Sequence, residues 1–392
     1  MIFKAIKKGF KETDKIFLLL CLLLSVFGIV MVASATMRKV EDGGFIYRDA
    51  AVMIFAVVLG LIACMIISFI DYDLILKLWP IIAAGSLFLM LLLFTPLGTA
   101  PEARESARSW LKLTRGLYLQ PSEILKIGFI ITFSYHLSKV KNDLSSLKNV
   151  LLLCLHAAIP ILLVVVTGDM GSALIFVLMF IGMAFVSGVH WAYFPIGALA
   201  VAAMSPIVWY KVFDDIQRNR ILALIHPEDF PKEIYQQQQA LNAMKEGGFL
   251  GSGLFKGAFT QSDSVPMIEN DMIFAAVCEE LGFVGGFVLI LLFVLLAARI
   301  IYVGKRSNDY AASMMCYGVL FMIIAQVVVN IGMCTMLLPV IGITLPFISA
   351  GGSSVICLYL AMGLVLSVYR SSQVISYDDY RYARIAKQYG NY

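Results

Sequence analysis

The sequence predicts an all-α integral membrane protein with ten transmembrane helices. Of its 392 residues, 60% are hydrophobic and 14% charged, against roughly half and a quarter in a soluble domain. The mean hydropathy is +0.87. The apolar residues also gather in runs, each near the ~20 residues a helix needs to cross a bilayer. These runs are 16–36, 50–70, 75–96, 121–138, 149–167, 171–188, 191–211, 272–302, 310–337 and 353–369. The net charge of +4 is small. No basic run is interleaved with aromatics, so nucleic acid is not an expected partner.

Taken in order, the first run follows Lys4, Lys7, Lys8 and Lys11 and ends Ala33-Ser34-Ala35, which imitates a secretory signal. Its length, and the spans that follow it, favour a retained first helix. An even number of crossings puts both ends on one side. The positive-inside rule makes that side the cytoplasm, because Lys15, Lys139, Lys141, Lys148, Arg299, Lys305, Arg306, Arg370, Arg381, Arg384 and Lys387 all fall there. The loop 97–120 then lies outside despite Arg104, Arg108, Lys112 and Arg115. Either these cations serve a local purpose such as phosphate binding, or the loop was translocated regardless of its charge. The large extracellular loop between helices 7 and 8, about 212–270, is too short for a separate domain. It is expected to fold against the bundle mouth, with Gln236–Gln239 as a polar helix face. The whole chain, 1–392, reads as one polytopic domain.

A broken or re-entrant segment is expected before helix 10. Residues 338–354, LPVIGITLPFISAGGSS, carry Pro339, Gly342, Pro346, Gly351 and Gly352, which a regular helix does not accommodate. Irregular backbone at membrane depth is tolerated where it is buried in protein or lines a wet cavity. The alternative is a plain outer turn. The seven cysteines show no CxxC pattern and the four histidines are scattered, so the chain specifies no metal site.

Ionised groups at membrane depth are costly and usually functional, which singles out Pro266–Gly282, PMIENDMIFAAVCEELG. Asp271 stands where a polar segment meets an apolar one, and Glu279 and Glu280 lie inside the apolar run. Asp271 suits a helix cap as well as a chemical role. Further polar stretches are Ala107-Arg108-Ser109-Trp110, then Gln120-Pro121-Ser122-Glu123 with Lys126, then Thr167-Gly168-Asp169-Met170-Gly171, and the glycine-rich 247–257. Pro121 is placed to start a helix, and Glu123 and Lys126 share a face three residues apart. Asp169 fits an N-cap. Trp110 fits either a ligand contact or the interfacial aromatic belt. Gln326 and Asn330, four apart, suit interhelical hydrogen bonding.

This ordered set, QPSE, GGFLGSGLFKG, DMIF…EELG and GITLPFISAGGSS, resembles the SEDS family (shape, elongation, division, sporulation) over nearly the whole chain. The resemblance implies ten helices and a glycosyltransferase of the bacterial cytoplasmic membrane that polymerises lipid II into glycan strands. It implies a class B penicillin-binding protein, a transpeptidase, as partner, with the nascent lipid-linked glycan and membrane lipids also in contact. The family's essential acid falls on Asp271 and its loop Trp on Trp110. Its polar pair on the penultimate helix falls on Gln326 and Asn330, and its Ser before GGSS on Ser349. The sequence departs from the family's pattern at Met267, Ile268, Glu269 and Asn270, at Thr167-Gly168 and at Arg48-Asp49.

In such a reaction a carboxylate takes the proton of an attacking sugar hydroxyl, which is the role implied for Asp271. Cations hold the departing pyrophosphate. Arg48, Arg108, Lys112, Arg218, Arg220 and Lys126 form the expected substrate-binding set with Trp110 and Ser349. Glu123, Asp169, Glu279, Glu280, Gln326 and Asn330 form the supporting set. No cofactor is specified, although a divalent cation bridging phosphates is compatible with the chemistry. A lipid II flippase, or a scaffold that recruits the transpeptidase, are the competing functions. A transporter would favour inverted repeats and polar groups at the midplane.

Overall fold

The computed structural model describes residues 13–37, 48–100, 108–114, 117–262 and 264–389, with side chains to residue 373 except those of 113, 114 and 117. Lys4, Lys7, Lys8, Lys11, Arg104 and Arg115 lie outside the described residues, as do the side chains of Arg381, Arg384 and Lys387.

The chain runs through α1 (Lys15–Thr36), α2 (Arg48–Phe69), α3 (Tyr72–Lys77) and α4 (Trp79–Leu91). Three short strands follow: β1 (Gly98–Thr99), β2 (Trp110–Thr114) and β3 (Leu117–Leu119). Next come α5 (Pro121–Val140), α6 (Leu147–Val166), α7 (Met170–Ser187) and α8 (Tyr193–Ile207). The outer segment holds α9 (Asp215–Ile225), α10 (Pro231–Gly247) and α11 (Ala258–Gln261). The chain then continues in α12 (Ile273–Arg306), α13 (Tyr310–Cys334) and α14 (Gly352–Tyr389).

Eight helices are long and apolar enough to cross a membrane, and a shorter apolar stretch spans Trp79–Phe94. The expected third span is divided because Pro80, near the start of α4, follows the non-helical Leu78. The expected fourth, α5, starts at Pro121 as its sequence suggests but carries Glu123, Lys126 and Lys139, which lower its hydropathy. The loop 97–120 departs from an all-helical expectation. It folds into an antiparallel sheet of order β1-β2-β3, with Thr99 opposite Trp110 and Leu111 opposite Leu119.

The bundle packs around α13 and α14. Tyr359 of α14 is fully buried. Its hydroxyl lies 2.7 Å from Ser25 Oγ of α1, and its ring rests on Gly60 of α2, where a Cβ would come within 2.8 Å of it. At one end of the bundle, Asp14 caps α1 and meets Arg299 of α12 at 2.6 Å. By contrast α8 buries none of its residues.

Inside α12 the helix breaks at Gly282, whose φ of 66° and ψ of −167° lie outside helical space in a region that only glycine occupies readily. The break frees backbone groups that lipid cannot satisfy, and the glycine-rich loop satisfies them. Ser252 and Gly253 N–H donate to the Glu279 and Glu280 carbonyls at 2.9 and 3.0 Å. Phe283 and Val284 N–H donate to the Gly248 and Phe249 carbonyls at 2.9 and 3.3 Å. Main chain lies on main chain: a Cβ on Gly251 would sit 2.2 Å from the Glu280 carbonyl oxygen, and one on Gly247 1.9 Å from that of Cys278.

The two glutamates secure the same loop. Glu279 accepts from Phe259 N at 2.7 Å, Thr260 N at 2.9 Å and Thr260 Oγ1 at 2.6 Å. Glu280 accepts from Ser34 Oγ at 2.6 Å and Phe255 N at 3.1 Å. Both are fully buried. Replacing Glu279 with Ala strands the Phe259 and Thr260 N–H groups, at about 1–3 kcal/mol each. We therefore expect Glu279→Ala to lower the detergent-solubilised thermal midpoint clearly, whereas Glu246→Ala, at an exposed position of α10, leaves it unchanged.

Candidate active site

The polar motifs converge on one cavity of about 390 Å³, within the roughly 300–1,000 Å³ of small-molecule sites. Asp271, Trp110, Glu123, Asp169, Arg220 and Gln326 all line it, together with Ser109, Gln120, Ser172, Gln236, Asn270, Thr344 and Ser354. Three carboxylates therefore face one guanidinium among the lining residues. Trp110 arrives from β2, so the small sheet, which the sequence reading missed, presents the aromatic ring.

The backbone leading into Asp271 is gripped at three consecutive carbonyls. Ala350 N–H donates to Glu269 O at 2.8 Å. Ser349 Oγ donates to Asn270 O at 2.6 Å. Asn330 Nδ2 donates to Asp271 O at 2.8 Å, and also to Ile343 O at 2.7 Å. Ser349 Oγ in turn accepts from Leu345 N at 2.7 Å. The irregular segment between α13 and α14 is thus a cradle for the residues just before α12. Its own start is fixed by Gln237 of α10, which donates to Met333 O and Leu338 O at 2.8 and 2.7 Å.

On the α5 and α7 side, Asp169 caps α7 by accepting from Ser172 N at 3.0 Å. Its other oxygen accepts from Ser172 Oγ at 2.7 Å and Gln120 Nε2 at 2.9 Å. Glu123 pairs with Lys126 at 2.8 Å. The Lys126 side chain is 1% exposed, so it lies behind the cavity wall, and only its partner Glu123 faces the cavity.

Other expected positions fall elsewhere. Ser349 is buried and committed to backbone groups, donating to the Asn270 carbonyl and accepting from Leu345 N–H. It is not among the lining residues. Arg48, Arg108 and Lys112 are exposed and do not line this cavity. Arg218 turns to Asp215 at 3.1 Å, while Arg220 reaches the Val340 carbonyl at 3.0 Å and stays on the cavity wall. Glu279 and Glu280 hold the glycine-rich loop instead. Among the described residues no group of three or more His, Cys, Asp or Glu side chains is placed to hold a metal ion.

Gln120, Gln236 and the hydroxyls of Ser172, Thr344 and Ser354 on the wall were not among the expected site residues. The one available signal was Gln120, which directly precedes Pro121 at the start of α5.

Fold and site together define a polytopic membrane protein with an acidic, hydrogen-bonding cavity beside a broken helix. A family model described as "Cell cycle protein", covering FtsW, RodA and SpoVE, matches residues 14–374, and the chain belongs to that family. It is 33% identical over 276 residues to the peptidoglycan glycosyltransferase MrdB of Escherichia coli K12, covering 69% of this chain and 73% of that protein. It is 32% identical over 366 residues to stage V sporulation protein E of Bacillus subtilis 168, covering 92% and 98%. Among solved structures it resembles a chain of a peptidoglycan synthase complex that coordinates polymerization and crosslinking. The TM-score is 0.76 at 26% identity, covering 92% of this chain and 98% of that one.

The buried Glu123–Lys126 pair gives a signed expectation. Removing one partner leaves an uncompensated buried charge, at about 3–5 kcal/mol. Lys126→Met alone should therefore lower the thermal midpoint more than Lys126→Met combined with Glu123→Gln, measured on the purified chain in detergent.

Proposed function

We infer that this chain is a peptidoglycan glycosyltransferase that polymerises lipid II into glycan strands at the outer face of the bacterial cytoplasmic membrane. Kinship with proteins named for that activity supports the class of reaction. The observation that carries the mechanism is Asp271 on the wall of a polar cavity, with the carbonyls of residues 269–271 fixed by Ala350, Ser349 and Asn330.

In this reading the whole chain forms one domain of ten crossings, with both ends cytoplasmic. The eight long apolar helices are joined by two less apolar crossings, Trp79–Phe94 and α5. The cavity then opens toward the outer leaflet, where the sugars and diphosphate of lipid II lie while its polyprenyl tail stays in the bilayer. Asp271 accepts the proton of the acceptor N-acetylglucosamine 4-hydroxyl as that oxygen attacks the anomeric carbon of the lipid-linked N-acetylmuramic acid. The bond from that carbon to the diphosphate oxygen breaks, and undecaprenyl diphosphate leaves. Arg220 is the cation on the wall placed to meet its charge, with Arg108 and Lys112 on the approach. Trp110 offers a face for a sugar ring. A class B penicillin-binding protein crosslinks the product, in elongation, division or sporulation.

The test is glycan synthesis by the purified full chain with its transpeptidase and lipid II. Asp271→Ala is expected to abolish polymer while the protein keeps its thermal midpoint. Retained polymer would sink the mechanism, and lipid II scrambling that persists in the same variant would point to transport. Ser349→Ala and Asn330→Ala release the Asp271 backbone. They should lower kcat by about 10- to 100-fold, the scale of an ~1 Å misplacement, with KM near its original value.

A further inference from the structure

Two of the three glutamines that line the cavity, Gln120 and Gln236, turn their NH2 groups to protein acceptors. Gln120 Nε2 donates to Asp169 Oδ2 at 2.9 Å, and Gln236 Nε2 donates to the Pro266 carbonyl at 2.8 Å. A carboxylate or a carbonyl only accepts, so each bond places the NH2 against protein and leaves Oε1 as the group without a hydrogen-bond donor among the described residues. With Asp271 and Glu123 on the same wall, the cavity is rich in acceptors. It favours a ligand that brings donors.

The two glutamines are not equivalent. Asp169 is buried and its carboxylate also takes Ser172 N and Ser172 Oγ, so Gln120 is held by a rigid, charged partner. A charge-assisted bond at the amide nitrogen polarises the amide and strengthens its carbonyl as an acceptor. Gln236 is anchored by a neutral loop carbonyl and sits on the outer helix α10.

Hydroxyl groups of a sugar rotate and can be met by Ser109, Ser172 or Thr344 on the wall. An acetamido N–H is different. It only donates, in a direction fixed by its planar amide, and requires a fixed acceptor.

We propose that Gln120 is a specificity-determining residue whose Oε1, oriented and polarised by Asp169, accepts the 2-acetamido N–H of the acceptor's terminal N-acetylglucosamine. The proposal rests on the glycosyltransferase reading for the identity of the sugar. Gln120 selects 2-acetamido sugars over 2-acyloxy sugars, whose ester has no N–H or O–H to offer and leaves its carbonyl unpaired.

The test is equilibrium binding, which needs no turnover. The full chain in nanodiscs is titrated with a lipid-linked disaccharide diphosphate that lacks the attacking 4-hydroxyl, and with its counterpart carrying a 2-O-acetyl ester in place of the terminal acetamide. On the unmodified chain the ester should bind about 3- to 10-fold more weakly, the equivalent of one neutral hydrogen bond. Gln120→Met should weaken the amide ligand by that same factor and leave the ester unchanged. Gln236→Met should affect both ligands alike. Equal binding of the two ligands by the unmodified chain overturns the proposal. So does a Gln120→Met penalty that falls equally on both, or discrimination lost in Gln236→Met instead. If discrimination is seen but the native 4-hydroxyl substrate yields no polymer with the transpeptidase present, the polymerase reading fails while the assignment of Gln120 stands.

Discussion

Every backbone group released inside an apolar bundle has to find a partner within the protein. Two breaks in the regular structure of this chain, at Gly282 and between Cys334 and Gly352, raise that demand. The first break is closed by the loop 247–257, which exchanges main-chain hydrogen bonds across it. The second is closed by Asn330, Gln237 and the segment entering α12. Both closures bear on the same short stretch of chain, residues 269–284. Asp271 therefore stands on backbone that is irregular yet fully tied down, which is how a site keeps a group in a fixed place outside a helix.

This arrangement accounts for charged residues that would otherwise be anomalous. Glu279 and Glu280 are buried without an ion pair to any described basic residue, yet their oxygens receive backbone N–H groups, hydroxyls and an amide. Glycines at 247, 251 and 282 are required because the loop and helix touch main chain to main chain. The GGFLGSG sequence is thus a packing surface for a helix break, and its carboxylate neighbours are the clasps. Glu123 and Lys126 neutralise one another between the cavity and the bundle interior. Asp14, Asp169, Glu279 and Glu280 hold backbone with their carboxylates, whereas Asp271, on the cavity wall, has its own main chain held.

Much of the helical layout was legible in the residues. Eight of the apolar runs contain helices long and apolar enough to cross a membrane, Pro121 starts α5, and Asp169 caps α7. The broken character of 338–354 followed from its prolines and glycines. The sheet formed by Gly98–Leu119 was not legible, because strands of two to five residues leave little periodicity to read. Nor was the use of Ser349. Its position beside GGSS suggested a ligand, but its hydroxyl is spent on the Asn270 carbonyl, 79 residues away in sequence.

The sequence by itself determined that this chain lives in a membrane, where its helices run, and which acids stand at their ends. Apolar composition, proline position and capping are local properties, and local properties are written in order along a chain. Only the tertiary structure decided which polar groups face one another. Gln120 meets Asp169 across 49 residues, Asn330 reaches Asp271 across 59, and Ser34 reaches Glu280 across 246. Such pairings follow from how helices pack and where their backbones break, because a polar side chain in an apolar bundle is satisfied by whichever partner the packing brings to it.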